Sequence, residues 1–205
     1  MEIEFSKNTI TFKKKLSDLD NFVIDFVKVL NTSRIRHVIV SGYISILFGR
    51  PRITEDIDIL IENVDFNKFN NLISSLRKNG FAIMNTSNTR KLYFDFLMKN
   101  TAIRIYKGNI FPNAEVKFVK SKLDKEILNN SLRVIMNNKE LLISPLEQQI
   151  AYKLYLGSRK DIQDARFIFD IFKDKLDIKE ILKLCKILKA EYKFKKYIDV
   201  KGAKK

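Results

Sequence analysis

Apolar residues recur at helical spacing at Leu19, Phe22, Val23, Phe26, Val27 and Leu30, which predicts an amphipathic helix with one face toward a core. Ser17 can cap the free amides of its first turn, and Asp20, three residues on, favours the positive end of the helix dipole. The β-branched run "RHVIVSG" (36–42) predicts a short strand ending on a turn. "YISILFG" (43–49) provides about two helical turns stopped by Gly49, and "DIDILIE" (56–62) is the next strand. From Asp65 to Asn79 a second helical stripe runs through Phe66, Phe69, Leu72, Ile73 and Leu76, closed by Gly80 in the left-handed position that helix ends favour.

Three further apolar segments, "KLYFDFLM" (91–98), "AIRIYK" (102–107) and "AEVKFVK" (114–120), predict strands, with "KNT" and "KGNIFPN" as the turns between them. From about Leu123 the pattern changes: the first 120 residues read as mixed α/β and the last 60 as helical. Ser144-Pro145-Leu146-Glu147 predicts a capping box with proline at the first helical position, opening a helix to about Leu156 before Gly157. Apolar stripes at 162, 165, 168, 169, 172 and at 178, 181, 182, 185, 188 predict two more helices. The expectation is an α/β (α+β) fold, a mixed sheet flanked by helices, with a core at 1–124 and a C-terminal helical subdomain at 125–205.

The chain has 205 residues and is 45% hydrophobic, enough to bury a core and too short for a separate regulatory module. Its one cysteine, Cys185, excludes an internal disulfide. No signal-peptide order is seen at the N-terminus, and no apolar run approaches the roughly 20 residues of a membrane span. A cytoplasmic protein without a membrane partner is expected. Lys plus Arg number 39 against 24 Asp plus Glu, a formal charge of +15, which favours a polyanionic partner such as RNA. A chain rich in Lys, Asn and Ile, its lysines merely solvated, is the plainer reading of the same numbers.

The segment "SGYISILFGRPRITEDIDILIE" (41–62) carries the chemistry. Side chains on a strand alternate faces, so Asp56 and Asp58 point one way while Ile57 and Ile59 point into the core. Two carboxylates on one face repel unless a cation sits between them. Hard divalent ions such as Mg²⁺ or Mn²⁺ prefer such oxygens and keep positions open for phosphate. A solvated edge strand would show the same pair. What distinguishes this one is its setting: Ser41-Gly42 ends the preceding strand, where small residues let the amides of the next helix approach phosphate oxygens. Gly49, Arg50, Arg52 and Thr54 then form a segment too basic for an ordinary turn.

This stretch resembles the signature of the polymerase-β-type nucleotidyltransferase superfamily, hG[GS], a short helix, then Dh[DE]h, with Ser-Gly here in place of the usual order. The form G-R-x-R-x-T-x-D-I-D-I resembles most the minimal, abortive-infection-type nucleotidyltransferases, many of which belong to toxin–antitoxin pairs. "SPLEQQIAYKLYLGSRKDIQDA" (144–165) is similar to the helical part of that group, S-P-E-x-L-I-x-x-K followed by R-x-K-D-x-x-D, and the likeness spans about residues 35–172.

The resemblance implies transfer of a nucleoside monophosphate from an NTP, ATP among them, to a macromolecular hydroxyl. RNA, tRNA in particular, is the first acceptor to consider. Attachment of AMP to a cognate toxin by an antitoxin, and a non-catalytic nucleic-acid- or partner-binding module on the same fold, are the alternatives. It implies metal at Asp56 and Asp58 and a third acidic residue on a neighbouring strand, for which Glu115 is the first choice and Asp95 the rival. Ser41, Gly42, Arg52, Thr54, Lys153 and Asp161 would contact or orient the nucleotide. Lys153 lies two turns beyond the proline, where it would neutralise the triphosphate, and Asp161 and Asp164 share a helix face at i, i+3. His37 and Cys185 read as structural. Residues 173–205 hold 12 Lys against five acidic residues, and Lys179, Lys183 and Lys186 form a ridge suited either to a phosphate backbone or to solvent.

Overall fold

The computed structural model describes residues 2–6 and 8–198. In chain order the elements are β1 (Ile3–Ser6), β2 (Thr9–Phe12), α1 (Asp18–Thr32), β3 (His37–Val40), α2 (Gly42–Leu47), β4 (Asp56–Ile61), α3 (Phe66–Lys78) and β5 (Phe81–Ile83). A helical run follows, α4 (Thr89–Lys91) passing into a π-turn (Leu92–Phe96) and a 3₁₀ turn (Leu97–Lys99). Then come β6 (Ile103–Lys107), β7 (Asn109–Phe118), α5 (Lys122–Asn129), β8 (Leu132–Met136), β9 (Lys139–Ile143), α6 (Leu146–Leu156), α7 (Arg159–Phe172), α8 (Ile178–Ile187) and α9 (Glu191–Tyr197). The strands make one mixed sheet in the order β1-β2-β8-β9-β3-β4-β7-β6-β5, so the mixed α/β expectation holds.

The sheet continues past residue 124. The β8–β9 hairpin lies between β2 and β3, with Ile39 paired to Ile143 and the Ser144 amide donating to the Ile39 carbonyl at 2.9 Å. Helical structure alone begins at Leu146. No helix among the described residues is long and apolar enough to cross a membrane.

The local signals at α1 and α3 act as the sequence suggests. Ser17 and Asp20 form a reciprocal capping box, and Asp65 caps α3 through the Lys68 amide. Asp20 does more than complement a dipole: it is buried and accepts hydrogen bonds from Tyr43 Oη at 2.8 Å and Lys14 Nζ at 3.0 Å, tying α1 to α2. On β4, Ile57, Ile59 and Ile61 are at most 1% exposed and enter the main core, each contributing about 1.5–3 kcal/mol by burial. Residues 56, 58 and 60 therefore face the opposite side, where a smaller apolar cluster of Val38, Val119 and Leu128 lies with Val40, Leu60 and Ile127. Helix α5 covers that side.

Three expectations are corrected. Residues 91–98 are not a strand. Asn88 caps a helical run whose Leu92, Tyr93 and Leu97 are buried, and Tyr93 joins Phe66, Phe69 and Phe118 in an aromatic cluster while its hydroxyl donates to the Val64 carbonyl at 2.8 Å. Aromatic packing from α3 outweighs the strand propensity of the segment. The expected turn "KGNIFPN" shrinks to Gly108 at φ +72°, because β7 already begins at Asn109. The predicted capping box at Ser144 is absent as well: Pro145 holds the cap position, and Ser144 Oγ donates instead to Gln149 Oε1 at 3.2 Å. Cys185 is buried on the apolar face of α8, its thiol pushed up to about 11 by burial and the Glu191 charge. His37 is also buried, its Nδ1 3.0 Å from the Ile35 carbonyl, and burial lowers its basicity. Lys179, Lys183 and Lys186 are exposed, and the end of the basic stretch, 199–205, lies outside the described residues.

Candidate active site

The register of β4 against its parallel neighbour β7 puts Glu115 directly beside Asp58, Asn113 beside Asp56 and Lys117 beside Leu60. Cross-strand partners share a face, so Asp56, Asp58, Glu115 and Lys117 gather on the α5 side of the sheet. Burial, then the neighbouring Asp56 charge, raises the Asp58 carboxyl above the ordinary carboxylate range, with a hydrogen bond to Ser41 and the Lys117 charge opposing the rise. Thr54 Oγ1 donates to Asp56 Oδ1 at 3.2 Å. The Glu115 carboxylate is held by Arg104, at 2.7 Å from Nε and 2.5 Å from Nη2. Asp95, the rival, is half-exposed on the π-turn and paired with Lys99 at 3.3 Å.

The Ser41-Gly42 turn explains its own composition. Ser41 has φ 67° and ψ −134°, a region that residues with a Cβ avoid and glycine enters freely. Gln149 of α6 holds it there: its Oε1 accepts from the Ser41 amide at 3.2 Å and its Nε2 donates to the Ser41 carbonyl at 2.6 Å. At Gly42 the reason is space, since a Cβ would stand 3.1 Å from both terminal nitrogens of Arg52.

Arg52 belongs to a largely buried charge cluster. Asp164, fully buried, accepts from Arg50, from Arg52 at 2.5 Å and from Lys153 at 3.2 Å, and Lys153 also bonds Asp161 at 2.7 Å. Lys153 is 2% exposed. Asp161 in turn accepts from Ser158 Oγ at 2.5 Å; burial pushes its carboxyl up, and the Lys153 and Ser158 hydrogen bonds with the Lys153 and Lys160 charges together outweigh it and keep the carboxyl below the ordinary range. The cluster ties the basic segment before β4 to α6 and α7.

A cavity of about 430 Å³ opens in front of Asp58, Glu115 and Lys117, walled by Leu123, Asp124 and Ile127 of α5 and by Gln148, Gln149, Tyr152 and Leu156 of α6. Of the residues singled out in the sequence, Ser41, Asp58 and Glu115 line it. Asp56 shares their face one step earlier on β4 and is not part of the lining, nor are Gly42, Arg52, Thr54, Lys153 and Asp161. Among the described residues no three acidic, histidine or cysteine side chains gather into a ready metal cage. The donor set nonetheless suits a hard cation: two carboxylates on one face, one of them pushed toward protonation by burial and by the other's charge. Sequence reasoning missed Gln149, Lys117 and Tyr152. The four-residue spacing of Ser144, Gln148, Tyr152 and Leu156 was available as a signal.

No protein-family model matches the sequence, and no curated protein matches it. Solved structures do match in fold. An antigenic nucleotidyltransferase-like protein from Paracoccidioides brasiliensis is 19% identical, with 92% of this chain and 93% of that one covered and a TM-score of 0.53. ANT(2")-Ia, in complex with adenylyl-2"-tobramycin, is 12% identical, with 83% of this chain and 96% of that one covered and a TM-score of 0.54. The fold is that of the nucleotidyltransferases.

Proposed function

We propose that the chain is a metal-dependent nucleotidyltransferase that moves a nucleoside monophosphate from an NTP to a hydroxyl, with RNA, tRNA in particular, as the acceptor. The observation that carries this reading is the β4–β7 register, which sets Asp58 beside Glu115 and on one face with Asp56, next to the strained Ser41-Gly42 turn and in front of a cavity. The shared fold supports it. Asp56 and Asp58 would hold Mg²⁺ or Mn²⁺, joined by Glu115 on release from Arg104. When bound, the ion supplies charge neutralisation at the triphosphate and favours the ionised acceptor hydroxyl.

The chain's own residues position and neutralise, which is most of what phosphoryl-type transfer asks of a protein. The Ser41 side chain favours the ionised form of Asp58. Lys117, which makes no ion pair among the described residues, stands beside them as a cation for phosphate oxygens. Arg52 and Lys153, together with Asp161, act from the buried cluster behind Gly42, fixing the basic segment and raising the local potential. The overall charge of +15 favours RNA as acceptor.

The test is incubation of purified protein with each labelled NTP, Mg²⁺ and total RNA, with Asp56→Asn as control. Label on RNA that disappears with Asp56→Asn supports the proposal, and transfer unchanged by that substitution sinks it. Label on a co-purified protein moves the acceptor to a cognate toxin or antitoxin partner. Binding of Mg²⁺-NTP with no transfer to any acceptor leaves the non-catalytic module on this fold.

A further inference from the structure

Ser144, Gln148, Tyr152 and Leu156 are spaced by four, and all of them line the cavity in front of Asp58. Residues at i and i+4 stand one above the other on a helix, so α6 presents Gln148 and Tyr152 as adjacent parts of one wall. The polar groups elsewhere in the lining are mostly engaged. Gln149 is spent on Ser41 and Ser144, Glu115 on Arg104, and Asp124 on the Lys120 and Ser121 amides. Gln148 differs: its Oε1 is shielded from solvent and has no hydrogen-bond partner among the described residues. A buried amide oxygen without a partner is costly, and because Gln148 lines the cavity, a turn of its side chain brings that shielded oxygen to face a ligand there.

Tyr152 is 41% exposed at this wall. Burial, the neighbouring Tyr155 and the charges of Asp124 and Asp58 all raise its hydroxyl, consistent with a ring lying across the cavity from β4. Apolar residues make up much of the remaining lining, Val40, Leu60, Ile127 and Leu156 among them, with Asn100 and Lys117 as further polar members. A side-chain amide beside an aromatic face between aliphatic walls suits a flat heterocycle with a hydrogen-bonding edge. The volume is within the range of small-ligand sites.

We infer that the Gln148–Tyr152 face of α6 is the nucleobase site of the bound NTP, Tyr152 stacking on the ring and Gln148 reading its edge, with adenine the base selected. This rests on the proposed nucleotidyltransferase reading and deepens it. A nucleotide whose phosphates lie at Asp58 and Ser41 has this cavity in which to lay its nucleoside, because the lining is continuous from those residues to Tyr152. A side-chain amide pairs with adenine through the N6 donor and N7 acceptor together, and stacking on an aromatic ring is tolerant of base identity. Selectivity therefore resides in Gln148 and general affinity in Tyr152.

The experiment is calorimetric titration of the full chain with ATP, GTP, CTP and UTP in Mg²⁺, and with Mg²⁺-tripolyphosphate, for wild type, Gln148→Ala, Tyr152→Ala and Tyr152→Phe. Wild type is expected to bind ATP about tenfold tighter than the other three. Gln148→Ala brings the four within about threefold of one another, while Tyr152→Ala weakens all four about tenfold and Tyr152→Phe restores them. Tripolyphosphate binding stays the same throughout. The inference is overturned by preference for another base, by discrimination that survives Gln148→Ala, or by NTP affinities indifferent to Tyr152→Ala, the last placing an acceptor in the cavity. If neither NTP nor tripolyphosphate binds, the nucleotidyltransferase reading itself fails. Unchanged circular dichroism and melting temperature show that the variants are folded.

Discussion

Ser41 offers a direct test of how the site is held. Its φ of 67° and ψ of −134° place a residue with a Cβ where only glycine is at ease, a strain of about 1–3 kcal/mol. Replacing it by alanine removes the hydroxyl and keeps the Cβ; replacing it by glycine removes both. The two variants lose the same hydroxyl, so their difference isolates the backbone. Glycine relieves the strain but gives the unfolded chain more freedom, which costs roughly 0.5–1 kcal/mol. The balance makes Ser41→Gly more stable than Ser41→Ala by about 1 kcal/mol, the reverse of the order at an ordinary position. Urea unfolding of both variants, with equal slopes to establish that the unfolded states match, gives the number. An alanine variant as stable as the glycine one would show that Ser41 is not strained, and the case for Gln149 as a clamp would fall with it.

Gln149→Leu breaks the three hydrogen bonds that hold Ser41 and Ser144, so it is expected to cost about 2–4 kcal/mol in the same urea assay. Asp164→Ala leaves Arg50, Arg52 and Lys153 with Asp161 as the one remaining acid of the cluster, and a loss of about 3–5 kcal/mol is expected by chemical denaturation, the usual cost of stripping one partner from a buried ion pair. Asp58 has its carboxyl raised on folding by burial and by Asp56, so the folded chain holds that proton more tightly than the unfolded one. Its contribution to stability is present below the ordinary carboxylate value and is lost as pH rises through the raised one. Metal-free Asp58→Asn should therefore melt above wild type at pH 7, with the gap closing on acidification. Wild type melting higher at pH 7 without divalent ion would refute this. Mg²⁺ with NTP should reverse the order, because a ligand that binds the folded state alone raises its melting temperature.

The helices with caps and one apolar stripe, α1, α3, α7 and α8, were legible because each signal is local. So was the alternation of β4, and with it the shared face of Asp56 and Asp58. The strands β1, β2, β5, β8 and β9 were not read. They are three to five residues long, too short for a period to establish itself, and their pairing is decided by partners far along the chain. Residues 91–98 misled for a related reason: a run of aromatic and aliphatic residues favours a strand until α3 supplies aromatic partners for Tyr93. That Glu115 rather than Asp95 lies beside Asp58 follows from the β4–β7 register, a fact of pairing that no single segment contains. The spacing around Lys153 drew attention to the right helix, yet which of its faces meets the cavity depends on how α6 lies against the sheet.

That arrangement explains where stability is surrendered and where it is recovered. The costly features cluster at one place: a strained Ser41, a desolvated Asp58 beside Asp56, and an unpartnered Gln148 oxygen. The groups that hold them come from both ends of the sequence. β4 is pinned beneath by its three core isoleucines, Ser41 is clamped by Gln149 of α6, and the basic segment before β4 is tied by Asp164 of α7. Packing of the C-terminal helices on the sheet thus completes the turn, positions the segment and closes one wall of the cavity. Strain in a turn and like charges on a strand persist only where the surroundings over-determine them. In this chain the determining contacts run from α6 and α7 to the two short segments on either side of α2, which is why the candidate site lies at that junction.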